Sequence, residues 1–213
     1  MYRKISVLSA CLFILGGCMY KNEPMPAIVT GTESPAIPPG DTSWSQDSGS
    51  LSYQVPRSWL PPAGVEKKWT AIIVHHSATD NGNAAIFDKW HKEENHWDGV
   101  GYDFVIGNGT DSGNGQVEVT FRWLRQIPGA HCGGTPGNWA NIDGIGICLV
   151  GNFDKRRPTQ KQMQSLAKLV SFLQKRYGIP NSRIYGHNTA PGARITDCPG
   201  KNFSFTELKS MLN

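Results

Sequence analysis

Four side chains of this 213-residue chain have the types and positions for metal chemistry. His75 and His76 close an apolar run that starts at Trp69 and is rich in Ile and Val. His187 follows Gly186, and Cys198 lies eleven residues further on, before Pro199-Gly200. Two imidazoles and a thiolate suit zinc, and a catalytic zinc needs only three protein ligands, which can be far apart in sequence. No C-x-x-C pair of the structural zinc type is present. Neighbours on a pleated strand point to opposite faces, so at most one of His75 and His76 belongs to a shared site. Spacing alone leaves blander readings open: strand-end histidines as polar edge residues, and Cys198 as a small buried residue or half of a disulfide. His131-Cys132 also pairs a base with a thiol, but adjacent residues rarely aim both side chains into one nucleophile geometry.

The elements that must position these residues are legible as patterns. Trp69 to His75 reads as a buried strand, as do Tyr102 to Ile106, Val117 to Phe121, Ile145 to Val150 and Arg183 to Tyr185. Residues 84–94 place Ile86, Phe87, Trp90 and His91 at helical spacing. Thr159 and Gln162 form a capping box that opens the clearest helix, with Met163, Leu166, Ala167, Val170, Leu173 and Tyr177 on one face and Gly178 as its stop. Ser204 and Glu207 open a last helix through Leu212. Strands alternating with helices predict a mixed α/β fold, a central mixed sheet flanked by helices.

Composition bounds the rest. Hydrophobic residues are 38% and charged residues 18%, with 24 Gly and 14 Pro, which excludes a coiled coil, a polytopic membrane protein and a collagen. The net charge of +4 is spread along the chain, so no nucleic-acid partner is expected; a mildly basic surface suits a polyanionic one such as a cell wall. Residues 1–17 carry Arg3 and Lys4 before a short apolar run, the pattern of a signal peptide. Leu15-Gly16-Gly17-Cys18 resembles the lipobox of bacterial lipoproteins, which implies a lipid anchor at Cys18; an ordinary secretory signal with a chance cysteine is the other reading. Residues 18–65 hold more than half of the prolines and no apolar periodicity, so they read as a tether, with Trp44, Tyr53 and Trp59 either docked or exposed. The folded domain is then residues 66–213.

Six blocks in order carry a family resemblance. They are Ile72 to Thr79 (IIVHHSAT), Val100 to Ile106 (VGYDFVI), Gly129 to His131 (GAH), Ile145 to Gly151 (IGICLVG), Gly186-His187 and Asp197-Cys198-Pro199-Gly200. Together they resemble the zinc-dependent N-acetylmuramoyl-L-alanine amidases of the type-2 family, which includes peptidoglycan recognition proteins and phage lysozyme-like amidases. The match spans Trp69 to Phe203, nearly the whole domain.

The resemblance implies zinc held by His75, His187 and Cys198 in a cleft on one face of the sheet. It implies hydrolysis of the amide between N-acetylmuramic acid and L-alanine by a zinc-activated water, with Tyr102 and Thr196 stabilising the oxyanion or steering that water. A non-catalytic peptidoglycan-binding module is the alternative, and Cys198 speaks against it because pure binders of the family often have Ser there. Some members carry Glu where this chain has Cys148, so no carboxylate base is assigned. His131 matches a position beside the bound muropeptide, or else is a structural loop histidine. Trp97, Trp123 and Trp139 belong either to a sugar cleft or to the core. Asn141, in a loop before the IGI block, is a candidate glycan contact. Cys132 and Cys148 either pair or stay as free thiols. The expected partners are peptidoglycan or muropeptide and, through the N-terminal lipid, the membrane of a bacterial envelope, facing the periplasm from the outer membrane in a Gram-negative cell. The expected state is a monomer.

Overall fold

The computed structural model describes residues 55–212; the expected signal segment, the candidate anchor Cys18, Trp44 and Tyr53 lie outside them. Its elements are β1 (Ala71–His76), α1 (Ala84–Glu93), β2 (Phe104–Ile106), β3 (Val117–Val119), α2 (Phe121–Arg125), α3 (Trp139–Ile142), β4 (Gly144–Leu149), α4 (Gln160–Tyr177), β5 (Ile184–Gly186) and α5 (Phe205–Ser210). The sheet order is β3-β2-β4-β1-β5. β1 runs parallel to β4 and β5, and β2 parallel to β4, while β3 is antiparallel on the edge. This is a mixed α/β fold with a central mixed sheet flanked by helices, as the sequence predicts. Among the described residues no helix is long and apolar enough to cross a membrane.

Strand period sorts the side chains into two layers. Ile72 and Val74 of β1 join Ile145, Ile147 and Leu149 of β4 and the apolar face of α4 in the main core. Ala71 and Ile73 face the other way, onto Cys132, Ala140 and Ala190. Both faces of β1 and β4 are thus buried, which explains their continuous apolar runs. The capping box of α4 is present on both sides, and Gly178 takes the left-handed C-cap at φ 68°.

Beyond shifts of one or two residues at other element ends, three differences from the sequence reading have a clear physical cause or consequence. The run from Val117 ends at Val119 because Thr120 turns the chain, its hydroxyl accepting the Arg122 N–H as the cap of α2. Asn141 lies in the one-turn helix α3 rather than in a loop. The folded body begins before residue 66, because Trp59 is only 4% exposed. Trp59 packs on Phe172, and its carbonyl accepts the Trp123 indole N–H at 3.0 Å. A buried aromatic side chain is a large apolar contribution, and it outweighs the linker-like composition around it.

Candidate metal centre

His75 is the fifth residue of β1 and so shares a face with Ala71 and Ile73. His76 turns to the opposite side, where its ring meets Phe153 and its Nδ1 accepts the Phe153 N–H at 3.1 Å. The pleat therefore separates the pair as predicted, with His75 facing the cluster. β5 delivers His187, the first residue of a short turn (His187–Thr189) after Gly186. A side chain at Gly186 would meet Pro199 Cδ at 2.8 Å, so glycine lets the Cys198-Pro199 segment close over the strand end.

Cys198 is held from three sides. Its carbonyl accepts the Asn188 N–H at 2.8 Å, its N–H donates to Thr196 Oγ1 at 3.2 Å, and its thiol accepts the His76 N–H at 3.4 Å. The ligand atoms of His75, His187 and Cys198 all lie within 4.8 Å of one another. His75 Nδ1 and Cys198 Sγ are 3.6 Å apart. Tetrahedral zinc with ordinary bonds to nitrogen and sulfur sets such a pair about 3.6 Å apart, so the residues fit that ion. His187 Nε2 is buried and has no hydrogen-bond partner among the described residues, as suits a donor reserved for a ligand.

The electrostatics match. Burial, and then the neighbouring imidazoles of His131, His187 and His76, hold His75 well below the ordinary histidine range. Burial lowers His187 as well. Both rings are therefore neutral, the form that donates a lone pair. Burial pushes the Cys198 thiol up to about 12, although the His76 N–H pulls the other way. Without a cation beside it this thiol keeps its proton.

Tyr102 sets its ring 5.2 Å from the His75 ring. Burial, then the nearby Cys148 and Cys198 thiols, raise its phenol well above the usual range, so it stays an O–H donor. Thr196 is half-buried next to Cys198, and its hydroxyl proton remains free to donate because the oxygen serves as the acceptor there.

Other predicted residues fall in different places. His131 and Asn141 are 6% and 7% exposed, so neither offers an open surface. His131 Nδ1 lies 3.1 Å from His75 Nε2. Asn141 Oδ1 accepts the N–H groups of both His131 and Cys132, at 2.8 and 2.9 Å. Trp123 is a fully buried core residue, stacked on Trp69. Trp139 is half-buried and donates to the Pro191 carbonyl at 3.1 Å. Trp97 is 41% exposed, with its ring 4.9 Å from that of His91. Cys132 and Cys148 are free buried thiols.

Sequence reasoning missed three supporting residues. His91 lies 5.7 Å from the Tyr102 ring, and its Nδ1 accepts the Gly101 N–H at 3.0 Å. Asp103 is fully buried, accepts the Gly146 N–H at 2.8 Å and is pushed up to about 7 by burial. Arg122 donates to the carbonyls of Val100 and Pro128, both at 2.6 Å, and so ties down the chain on either side of the site. The Tyr-Asp pair in VGYDF was the available signal for Asp103, since a carboxylate inside an apolar block needs a buried partner.

Residues 66–201 match the N-acetylmuramoyl-L-alanine amidase family (Amidase_2), and the chain belongs to that family. The chain is 35% identical over 139 residues to the endolysin of Escherichia phage T7, covering 61% of this chain and 79% of the endolysin. It is 31% identical over 177 residues to a peptidoglycan recognition protein of Trichoplusia ni, covering 76% of this chain and 88% of that protein. Among solved structures, the endolysin N-acetylmuramoyl-L-alanine amidase LysCS of Clostridium intestinale aligns with a TM-score of 0.57 at 30% identity, covering 75% of this chain and 93% of that one.

Proposed function

We propose that the protein is a zinc-dependent N-acetylmuramoyl-L-alanine amidase that cuts the amide between N-acetylmuramic acid and the L-alanine of the peptidoglycan stem. The observation that carries this reading is the convergence of His75, His187 and Cys198 in a chain of the amidase family. Zinc bound there supplies a Lewis acid that polarises the amide carbonyl and lowers the pKa of a water to about 7. The chain's own residues do the rest. Tyr102 keeps its proton and offers it as a hydrogen bond to the oxygen that gains charge as the carbonyl carbon becomes tetrahedral. The Thr196 hydroxyl donates from the side of Cys198 and orients the attacking water or the same oxygen. Trp97 offers an exposed indole face for a sugar ring.

The same reading puts the enzyme in a bacterial envelope, as a monomer held by lipid at Cys18 on a tether that ends before the buried Trp59, within reach of the wall. It rests on the sequence of the N-terminal segment. The alternative, a peptidoglycan-binding module without catalysis, has relatives among recognition proteins but leaves the complete donor set without a use.

The test is to incubate purified protein lacking residues 1–18 with peptidoglycan, with and without a chelator, and to seek free stem peptides beginning with L-alanine by mass spectrometry. Chelator-sensitive release is expected. Retained muropeptide binding with zinc bound but no release would select the binding module.

A further inference from the structure

His131 stands out because the proposed chemistry does not use it, yet it is buried against a metal ligand. Its Nδ1 is 3.1 Å from His75 Nε2, and its Nε2 is 3.4 Å from the Gly144 carbonyl oxygen. The two rings cross almost at right angles, at 73°. The contacts form a line: Gly144 carbonyl, His131, His75, Cys198 thiol.

A carbonyl oxygen can only accept. The His131 nitrogen that faces it must therefore carry the proton, which leaves Nδ1 of the neutral ring as a lone pair. That lone pair in turn requires the proton of His75 to sit on Nε2. The remaining nitrogen of His75, Nδ1, is then bare on the side of Cys198. The opposite arrangement would set the His131 Nε2 lone pair against the Gly144 oxygen and point an N–H of His75 into the donor cluster. One main-chain carbonyl thus decides which of two tautomer chains is populated.

The fold builds a slot for this ring. A side chain at Gly146 would lie 2.3 Å from His131 Cδ2, and one at Gly129 would lie 2.4 Å from the same atom. Glycine inside a strand weakens it and often marks close approach by another group. Asn141 fixes the backbone of the same residue through the His131 N–H.

We infer that His131 is a positioning residue of the metal centre, which holds His75 in its Nε2–H tautomer and so presents Nδ1 as the ligand atom. This rests on the metal-site reading of His75, His187 and Cys198. It assigns His131 to the layer behind the ligands rather than to the muropeptide surface.

Two measurements on the purified full-length chain test it. In metal-free protein, two-bond ¹H–¹⁵N correlations of the histidine rings report each tautomer, and His75 and His131 are both expected as Nε2–H. An Nδ1–H signature at His75 would overturn the inference, whether or not zinc ever binds. Zinc affinity is then measured by competition with a chromophoric chelator for three proteins. His131→Leu is expected to weaken binding by about 10–100-fold, the usual effect of losing such a partner. His131→Asn, whose side-chain oxygen can stand where Nδ1 stands, is expected to recover most of that loss. Equal affinity in His131→Leu and wild type, or equal weakness in both variants, would refute the positioning role. Failure of the wild type to bind zinc would sink the metal reading itself, and the tautomer measurement would still judge the relay.

Discussion

Gly146→Ala is the perturbation that most directly probes the packing behind the candidate metal centre. The added methyl would lie 2.3 Å from His131 Cδ2 and 2.7 Å from both Cγ and Nε2. The ring edge must retreat by about 1 Å to reach ordinary contact. A shift of that size can break the 3.1 Å hydrogen bond between His131 and His75. The alternative is that β4 moves, but its neighbours β1 and β2 are paired with it on both sides. Overpacking of this kind costs about 1–3 kcal/mol. In a His131→Ala background the methyl enters space that the ring has left, and replacing an interior glycine by alanine becomes neutral or slightly favourable. The double-mutant cycle should therefore give a coupling of about −1 to −3 kcal/mol, read from urea unfolding with unchanged m-values. If the substitution costs the same in both backgrounds, within about 0.5 kcal/mol, the slot argument is wrong.

Three further outcomes are expected. Burial raises Asp103 to about 7. Its folded pKa thus exceeds its unfolded one, so its contribution is full below about pH 4 and is lost as pH rises through 7; stability should fall by up to roughly 4 kcal/mol across that window. Asp103→Asn should flatten the profile, as measured by urea melts at pH 5 and pH 8; an unchanged slope would assign the pH dependence to other groups. Trp59→Ala should cost about 3–5 kcal/mol despite its position beside Pro61-Pro62, and a loss below about 0.5 kcal/mol would return Trp59 to the tether. Zinc binding at pH 7 should release at least about one proton, from the Cys198 thiol, because burial holds both imidazoles below the ordinary histidine range. Calorimetry in buffers of different ionisation enthalpy counts it, and release of none would mean that the thiolate is preformed.

What the sequence disclosed depended on whether the deciding interaction was local. The capping box of Thr159 and Gln162 is a four-residue event, and it is present as read. The opposite facing of His75 and His76 follows from the pleat alone. Val117 to Phe121 misled because a single hydroxyl, that of Thr120, converts a β-rich run into a helix start. Trp59, Trp97, Trp123 and Trp139 could not be sorted from spacing. Trp123 is core because Trp69, Phe104 and Tyr177 surround it, all of them distant in sequence. Asn141 offered little local signal either: its Nδ2 donates to Asn138 Oδ1 three residues away, but its Oδ1 accepts from main-chain groups of a loop nine and ten residues earlier.

The strand β4 shows how a function can hide inside an ordinary pattern. GIGICL reads as a uniformly apolar core strand, and every residue of it is buried. Its two faces nevertheless do different work. Ile145, Ile147 and Leu149 pack into the main core, while Gly144, Gly146 and Cys148 alternate on the face that carries His75. On that second face the lack of side chains is what matters. Gly146 leaves room for the His131 ring, and the Gly144 carbonyl fixes that ring's proton. β1, β4 and β5 are parallel, so the chain ends of β1 and β5 bring His75 and His187 to one edge, while the start of β4 lies behind them along the same face. On the proposed reading, a parallel run of strands thus supplies both layers of the site, candidate ligands at the strand ends and the inferred orienting partner beneath. The alternation of glycine with bulky aliphatics in β4 is the trace this division of labour leaves in the sequence.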